Sequence, residues 1–190
     1  MKKYQLIDDT VKLGKIILYR IQALKSFGYI KKGELGGFVQ GEHNLSQSGP
    51  CWVSEDAKVY GNAKVHGNAY IFGYANVSGT AEVYEHAEVY GNAKVYGNAY
   101  VFGTAEVYGY ANVFGYANVS GNAKVYEDAK VSGKADIFGY ANISGDANIY
   151  GDAEVYGDAE VYGNAEVYGN AKVYDNAKVY GNAKVKETLY

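Results

Sequence analysis

The chain is poor in the residues that staple, bend or catalyse. Its 190 residues include one cysteine, one proline, one methionine, one tryptophan and three histidines. With Cys51 alone, no internal disulfide can form and no cysteine-based zinc site can be built. Long hydrophobic runs are missing as well. In "MKKYQLIDDTVKLGKIILYRIQ", acidic residues follow the first lysines before any apolar stretch, and "IILY" is too short for a signal-peptide core or a membrane span. The expectation is a soluble cytoplasmic chain with no membrane partner. No block of like charge is dense enough for a nucleic-acid arm, and the formal net charge of −3 favours no class of partner. The balance is uneven: residues 1–52 carry eight Lys/Arg against four Asp/Glu, and residues 53–190 carry ten Lys against seventeen Asp/Glu. A mildly basic head therefore joins an acidic shaft.

What is abundant is Gly, at 25 residues, and Tyr, at 22, in proportions foreign to an ordinary globular domain. They recur on a period of six. Every sixth residue from Val53 to Val185 is Val or Ile, and every sixth from Ala57 to Ala183 is Ala, without insertion. Two residues after each Val or Ile stands Gly in 18 of 23 units, and three after it stands Asn or Asp in 14 of 22. A helix needs apolar residues three and four apart, so a step of six excludes it. In "AKVY" the side chains alternate: Ala and Val face one way, Lys and Tyr the other. "GN" then turns a corner, because Gly and Asn best tolerate positive φ. One short strand cannot bury its Val, but stacked coils can. Three units per coil give an 18-residue rung, a triangular cross-section and a core column of Val and Ile lined by Ala.

The repeat [Val/Ile]-x-Gly-[Asn/Asp]-Ala-x over residues 53–187 resembles the hexapeptide repeat of left-handed parallel β-helices, and the left hand is what that resemblance implies. The preceding segment "LYRIQALKSFGYIKKGELGGFVQGEHNLSQSG" is similar to the head of the YdcK-like group of bacterial and phage hexapeptide proteins. The expected organisation is a β cap with a partial first coil at 1–52, the β-helix at 53–187 and a C-terminal tail at 188–190. Within the head, "KIILYRIQAL" reads as a strand and "YIKKGELGGFV" as a Gly-turned hairpin or loop. Val39 and Leu45 keep the step of six, whereas Leu45 to Val53 is eight, a two-residue slip around "SGPCWV" that Trp52 helps to seal. The head covers one open end of the prism. After Val185 only "KETLY" remains, so those residues cap the other end thinly or another molecule does.

The resemblance also says where chemistry would sit. Hexapeptide acyltransferases carry a catalytic His and usually a loop thrown out from a corner, and gamma-class carbonic anhydrases bind zinc through three His, two of them five apart. Here His43, His66 and His86 include no such pair, and no loop interrupts the repeat after Val53. His66 and His86, with Glu85 beside them, are the weak catalytic candidates, set against their being solvated replacements of Tyr and Asn. The outward aromatics form ladders at a spacing of 18: Tyr90, Tyr108 and Tyr126 on one face, Tyr150 with Tyr168 and Tyr156 with Tyr174 on the others. They stabilise sheets or offer a flat platform to a protein or a sugar chain. A Lys/Asn column containing Lys94 and Lys130 marks one face. Opposite charges one coil apart, such as Lys64 with Glu82 and Glu106 with Lys124, read as register-fixing pairs.

Together these features predict a non-catalytic structural or interaction protein without metal or cofactor. It would be a rigid rod packing on itself as a homo-oligomer or on a protein partner, through Tyr90, Tyr108, Tyr126, Lys94 and Lys130 or through the C-terminal end. The alternatives are an acyltransferase-like enzyme at a trimer interface, using His66 or His86, and an aromatic-faced glycan binder.

Overall fold

The computed structural model describes residues 2–190. The chain is all-β: a parallel β-solenoid of about eight turns with 18 residues per turn. Among the described residues the only helical element is a single 3-10 turn at Glu42–Asn44. Each six-residue unit contributes a two-residue ladder segment, such as Lys58–Val59, followed by a bend. These segments are shorter than the four residues of "AKVY", and a turn or bend occupies the corner pair of each unit. Pairing is in strict register, Lys94 with Asn76 and Asn112, Val95 with Val77 and Val113. Three sheets of eleven, eight and seven strands form the sides.

The hydrogen bonds explain why so short a strand holds. In one unit, Lys58 N–H donates to Ala75 O at 2.9 Å, Tyr60 N–H to Val77 O at 3.0 Å and Asn62 N–H to Gly79 O at 2.7 Å. The ladder thus runs on past the strand and through the corner, and the same three bonds recur up the prism. Inside, the Val/Ile and Ala columns are buried from Val53 to Val179, most of them completely. Each enclosed Val contributes roughly 1.5–3 kcal/mol of burial before its conformational entropy is subtracted. The columns thin out at the last coil, where Val185 is half-buried and Ala183 exposed, so the expectation that both are enclosed fails there. The tail runs on over the third sheet, with Leu189 in a parallel bridge to Val173 and Tyr190 lying 6.2 Å from Tyr174 ring to ring.

Corner geometry departs from expectation in one respect. Only the first corner residue takes a positive φ, and no Asn among the described residues does. Gly145, at φ +65°, shows why: a Cβ there would lie 2.7 Å from Gly163 N and 2.9 Å from Gly163 O, one coil away. Four corners nevertheless hold acids, Glu55, Glu85, Glu127 and Asp175, at φ between 55° and 59°. Three of them use their side chains on the next coil: Glu55 accepts from Gly73 N–H at 2.7 Å, Glu85 from Gly103 N–H at 2.8 Å and Glu127 from Gly145 N–H at 2.7 Å. The carboxylate bond offsets the strain of a left-handed residue that has a Cβ.

The head is built on the first sheet. Strands β1 (Tyr4–Leu13), β2 (Ile16–Ala23) and β3 (Leu35–Val39) are antiparallel neighbours, and β3 joins the prism by pairing Val39 with Val59. Leu45 bridges to Val65 and Val53 pairs with Ile71. The offset is therefore 20 residues before the "SGPCWV" slip and 18 after it. Trp52 is fully buried with Tyr4 and Phe27 edge-on to its ring at 6.2 and 5.4 Å. Lys3 is buried too: its Nζ donates to Cys51 O at 2.8 Å and lies 3.2 Å from Cys51 Sγ. Burial pushes the Lys3 ammonium down and the Cys51 thiol up from their ordinary values.

Three substitutions test the corner. Gly145→Ala should lower stability by about 1–3 kcal/mol, since the new methyl meets only backbone. Glu85→Ala should cost about 1–2 kcal/mol, whereas Glu85→Gly, which loses the bond but relieves the strain, should stay closer to the parent. Thermal melts give the order, and an unchanged Glu85→Ala melt would show that the carboxylate bond stabilises nothing.

Candidate functional site: the aromatic columns

The residue after each core Val points outward and stands above the same residue of the next coil. On the second face Phe72, Tyr90, Tyr108 and Tyr126 stack with centroids 4.7, 4.8 and 5.0 Å apart and planes within 5° of parallel. On the third, His66, Tyr84 and Phe102 stack at 5.0 Å each, and Phe138, Tyr156 and Tyr174 at 4.7 and 5.2 Å. On the first, Tyr96 meets Phe114 at 5.0 Å and Tyr150 meets Tyr168 at 5.4 Å. The spacing is the coil repeat itself, so the rings are held by the backbone ladder and have no freedom to slip.

Charge follows the same vertical rule. Lys64–Glu82, Lys124–Glu106, Lys172–Glu154, Lys178–Glu160 and Lys184–Glu166 pair at 3.5, 2.8, 3.0, 3.1 and 3.3 Å. Tyr90 adds a cross-link, its hydroxyl donating to Glu106 Oε2 at 2.8 Å. Burial acts to raise the Glu106 carboxyl, but the bonds from Lys124 and Tyr90 outweigh it and hold the group below its usual value. Tyr90 moves the other way, raised by burial first and by Glu106 second. Lys94 and Lys130 stand exposed in the first column, between asparagines above and below.

The histidines have different partners. His66 is a rung of the third column and lies 3.7 Å from Glu82. His86 occupies a corner, where Asn68 Nδ2 approaches its Nε2 at 3.0 Å. His43 meets Gly61 O at 2.8 Å in the head. Among the described residues no group of three or more His, Cys, Asp or Glu is placed to hold a metal ion. The sequence "FGYAN" stands at three corners, residues 72–76, 114–118 and 138–142; Asn118 of the second donates to Asp136 Oδ1 at 2.7 Å, but in the other two Asn76 donates to Tyr74 O at 2.8 Å and Asn142 to Tyr140 O at 2.9 Å. Asn148 does the same to Asp146 O at 3.0 Å, so the bond serves the corner carbonyl and not the tyrosine ring.

Sequence reasoning passed over the interruptions of the columns. Ser78, Ser120, Ser132 and Ser144 stand where an aromatic stands elsewhere, and two of these gaps are open recesses. One is bounded by Tyr60, Tyr96 and Lys94 around Ser78, the other by Phe102 and Phe138 around Ser120. The signal was available: each serine sits in the slot after a core Val or Ile. The acids in the glycine slot were equally legible, since every replacement of Gly there is Glu or Asp.

No family model and no curated protein matches the chain. Among solved structures, a Bacillus cereus protein assigned as an acetyltransferase is similar at 17% identity, over 65% of this chain and 73% of its own, with a TM-score of 0.32. Among the described residues no helix is long and apolar enough to cross a membrane.

The acid limb of stability should report the Tyr90–Glu106–Lys124 cluster. A carboxyl lowered in the folded state stabilises above its unfolded pKa, and that contribution is lost as pH falls through the folded value. Lys124→Met should cost under about 1 kcal/mol near neutrality, and the difference from the parent should vanish once Glu106 is protonated. At the alkaline end Tyr90 and Tyr108 stay protonated beyond the ordinary phenol value of about 10, burial being the first cause for each. The unfolded chain therefore loses its protons first, and stability declines as pH rises past that value. Thermal midpoints against pH measure both limbs.

Proposed function

We propose that the protein is a non-catalytic interaction scaffold, a rigid rod that packs through its tyrosine-bearing faces on copies of itself in the cytoplasm or on a protein partner. One observation carries this reading: the rings on all three sides are already stacked and parallel within 12° wherever they are face to face. A tyrosine fixed by its neighbours gives up little rotamer entropy on contact, so such a face is pre-organised for association. The corner tyrosines Tyr74, Tyr110, Tyr116 and Tyr140 are each about 60% exposed and extend that surface to the edges. Closed symmetry, two-fold or three-fold, would use one face repeatedly. The three-part organisation with bounds at 52 and 187, the left-handed hexapeptide class and a bacterial or phage YdcK-like origin belong to the same proposal and rest on the sequence pattern.

A second reading is an acyltransferase-like activity with His66 as base, favoured by the Glu82 carboxylate 3.7 Å from its Nε2. Against it stands the unbroken 18-residue register from Val53 to Val185, which leaves no corner loop to cover an acyl carrier.

Light scattering across micromolar concentrations decides the first reading: a particle heavier than the 20.6 kDa chain is expected, dissociating when Tyr90, Tyr108 and Tyr126 are changed together to Ser. A monomer at every concentration and salt would remove self-association. Turnover of acetyl-coenzyme A that disappears in His66→Asn would replace the scaffold by the enzyme.

A further inference from the structure

We infer that the rung left open at Ser120 is a binding slot for a free small molecule made of one flat aromatic ring with a cationic group on its edge. The inference concerns a ligand site and holds whether or not the faces also pack on a partner.

The slot is a vacancy in a column whose other members show what fits. Rings run from His66 through Tyr84 to Phe102 and resume from Phe138 through Tyr156 to Tyr174, each stacked on the next. Ser120 stands between Phe102 and Phe138, which are two coils apart, about 9.6 Å at the usual strand spacing. A flat ring entering there would lie about 4.8 Å from each neighbour, the separation the column already uses. The recess measures about 420 Å³, with Phe102 and Phe138 as its walls, Ser120 as its floor and Tyr100, Asn118 and Asp136 along one side.

Charge sets the sign of the occupant. In the strand column beside the slot, Glu82 is paired with Lys64 and Glu154 with Lys172. Asp136 has no such cation among the described residues; it receives Asn118 Nδ2 at 2.7 Å on one oxygen. A carboxylate accepts several further bonds, and an amidinium or ammonium on the ring edge would supply them while the ring stacks between two phenyl faces that themselves favour cations. The recess at Ser78 has the same vertical frame but Lys94 in place of a carboxylate, so it repels the same ligand. Of the other gaps, Ser132 stands beside Lys130, and Ser144 beside Glu160, a carboxylate already paired with Lys178 at 3.1 Å, so a one-ring gap and an uncompensated carboxylate meet at Ser120.

Benzamidine is the probe. Titrated into the whole protein, it should shift the amide resonances of Asn118, Ser120 and Asp136 saturably. Ser120→Tyr places in the slot the residue the column carries elsewhere, so that variant should fold and lose the binding. Ser132→Tyr fills a different rung and should leave binding unchanged. Asp136→Asn should weaken it by up to about fivefold, the effect of losing one exposed charge pair, and benzoate, the same ring with the opposite charge, should bind more weakly still. Shifts that persist in Ser120→Tyr, or benzoate binding as tightly as benzamidine, would overturn the assignment. So would N-acetyl-arginine amide binding more tightly than benzamidine through the same residues, because the occupant would then be the arginine of a protein partner.

Discussion

The molecule hangs on one constraint: from the pairing of Ile71 with Val53 onward, each strand residue of the repeat lies directly over the residue eighteen positions earlier, and the backbone ladder leaves it nowhere else to go. Lys58, Tyr60 and Asn62 each donate to a carbonyl of the next coil, so three consecutive bonds per side fix both height and rotation. Individually these bonds are modest, roughly 0.5–1.5 kcal/mol net, but a slip of one residue would expose every Val and bury every Lys or Tyr. Register is therefore protected by the core as strongly as by the ladder.

The same constraint decides what each slot tolerates. At the corner it brings backbone over backbone, which leaves no space for a Cβ beside Gly145 and admits an acid at Glu85 only together with a carboxylate bond to the coil that follows. On the flat sides it brings like over like. Tyr over Tyr becomes a stack because aromatic planes attract at that separation, whereas Lys over Lys would repel, and the chain alternates Lys with Asn or Glu instead. Where Ser replaces an aromatic, no neighbour can move in to fill the space, since both adjoining rings are tied to their own coils. In a globular core such a gap would collapse; in a solenoid it stays open.

Rigidity also bears on function. On the proposed scaffold reading, a prism with fixed rings at fixed heights offers flat surfaces for contact. Its polar side chains radiate outward from three flat sides, so His66 and His86 find separate partners, Glu82 for one and Asn68 for the other. Convergence in such a fold requires a vertical coincidence of column residues, and the Ser120 recess, with Asp136 beside two phenyl rings, is one of the few places that provides it.

The periodic part of the structure was legible in the chain because a strictly local pattern, repeated without insertion, has a single way to bury its Val and Ala columns. Fold, coil length, the buried columns, the stacked tyrosines and the vertical ion pairs all follow from counting by six and by eighteen. The step from Leu45 to Val53 likewise betrayed the slip by its length. Three things were settled only by tertiary structure. Lys3 is buried against Cys51 because β1 folds back across the partial coil, a contact 48 residues long in sequence that no local pattern announces. The corner strain falls on one residue and spares the Asn, a matter of φ that composition does not resolve. And Ser120, an ordinary polar residue in the sequence, becomes the floor of a recess only because Phe102 and Phe138, each 18 residues away, are held over it and under it by the stacking of the coils.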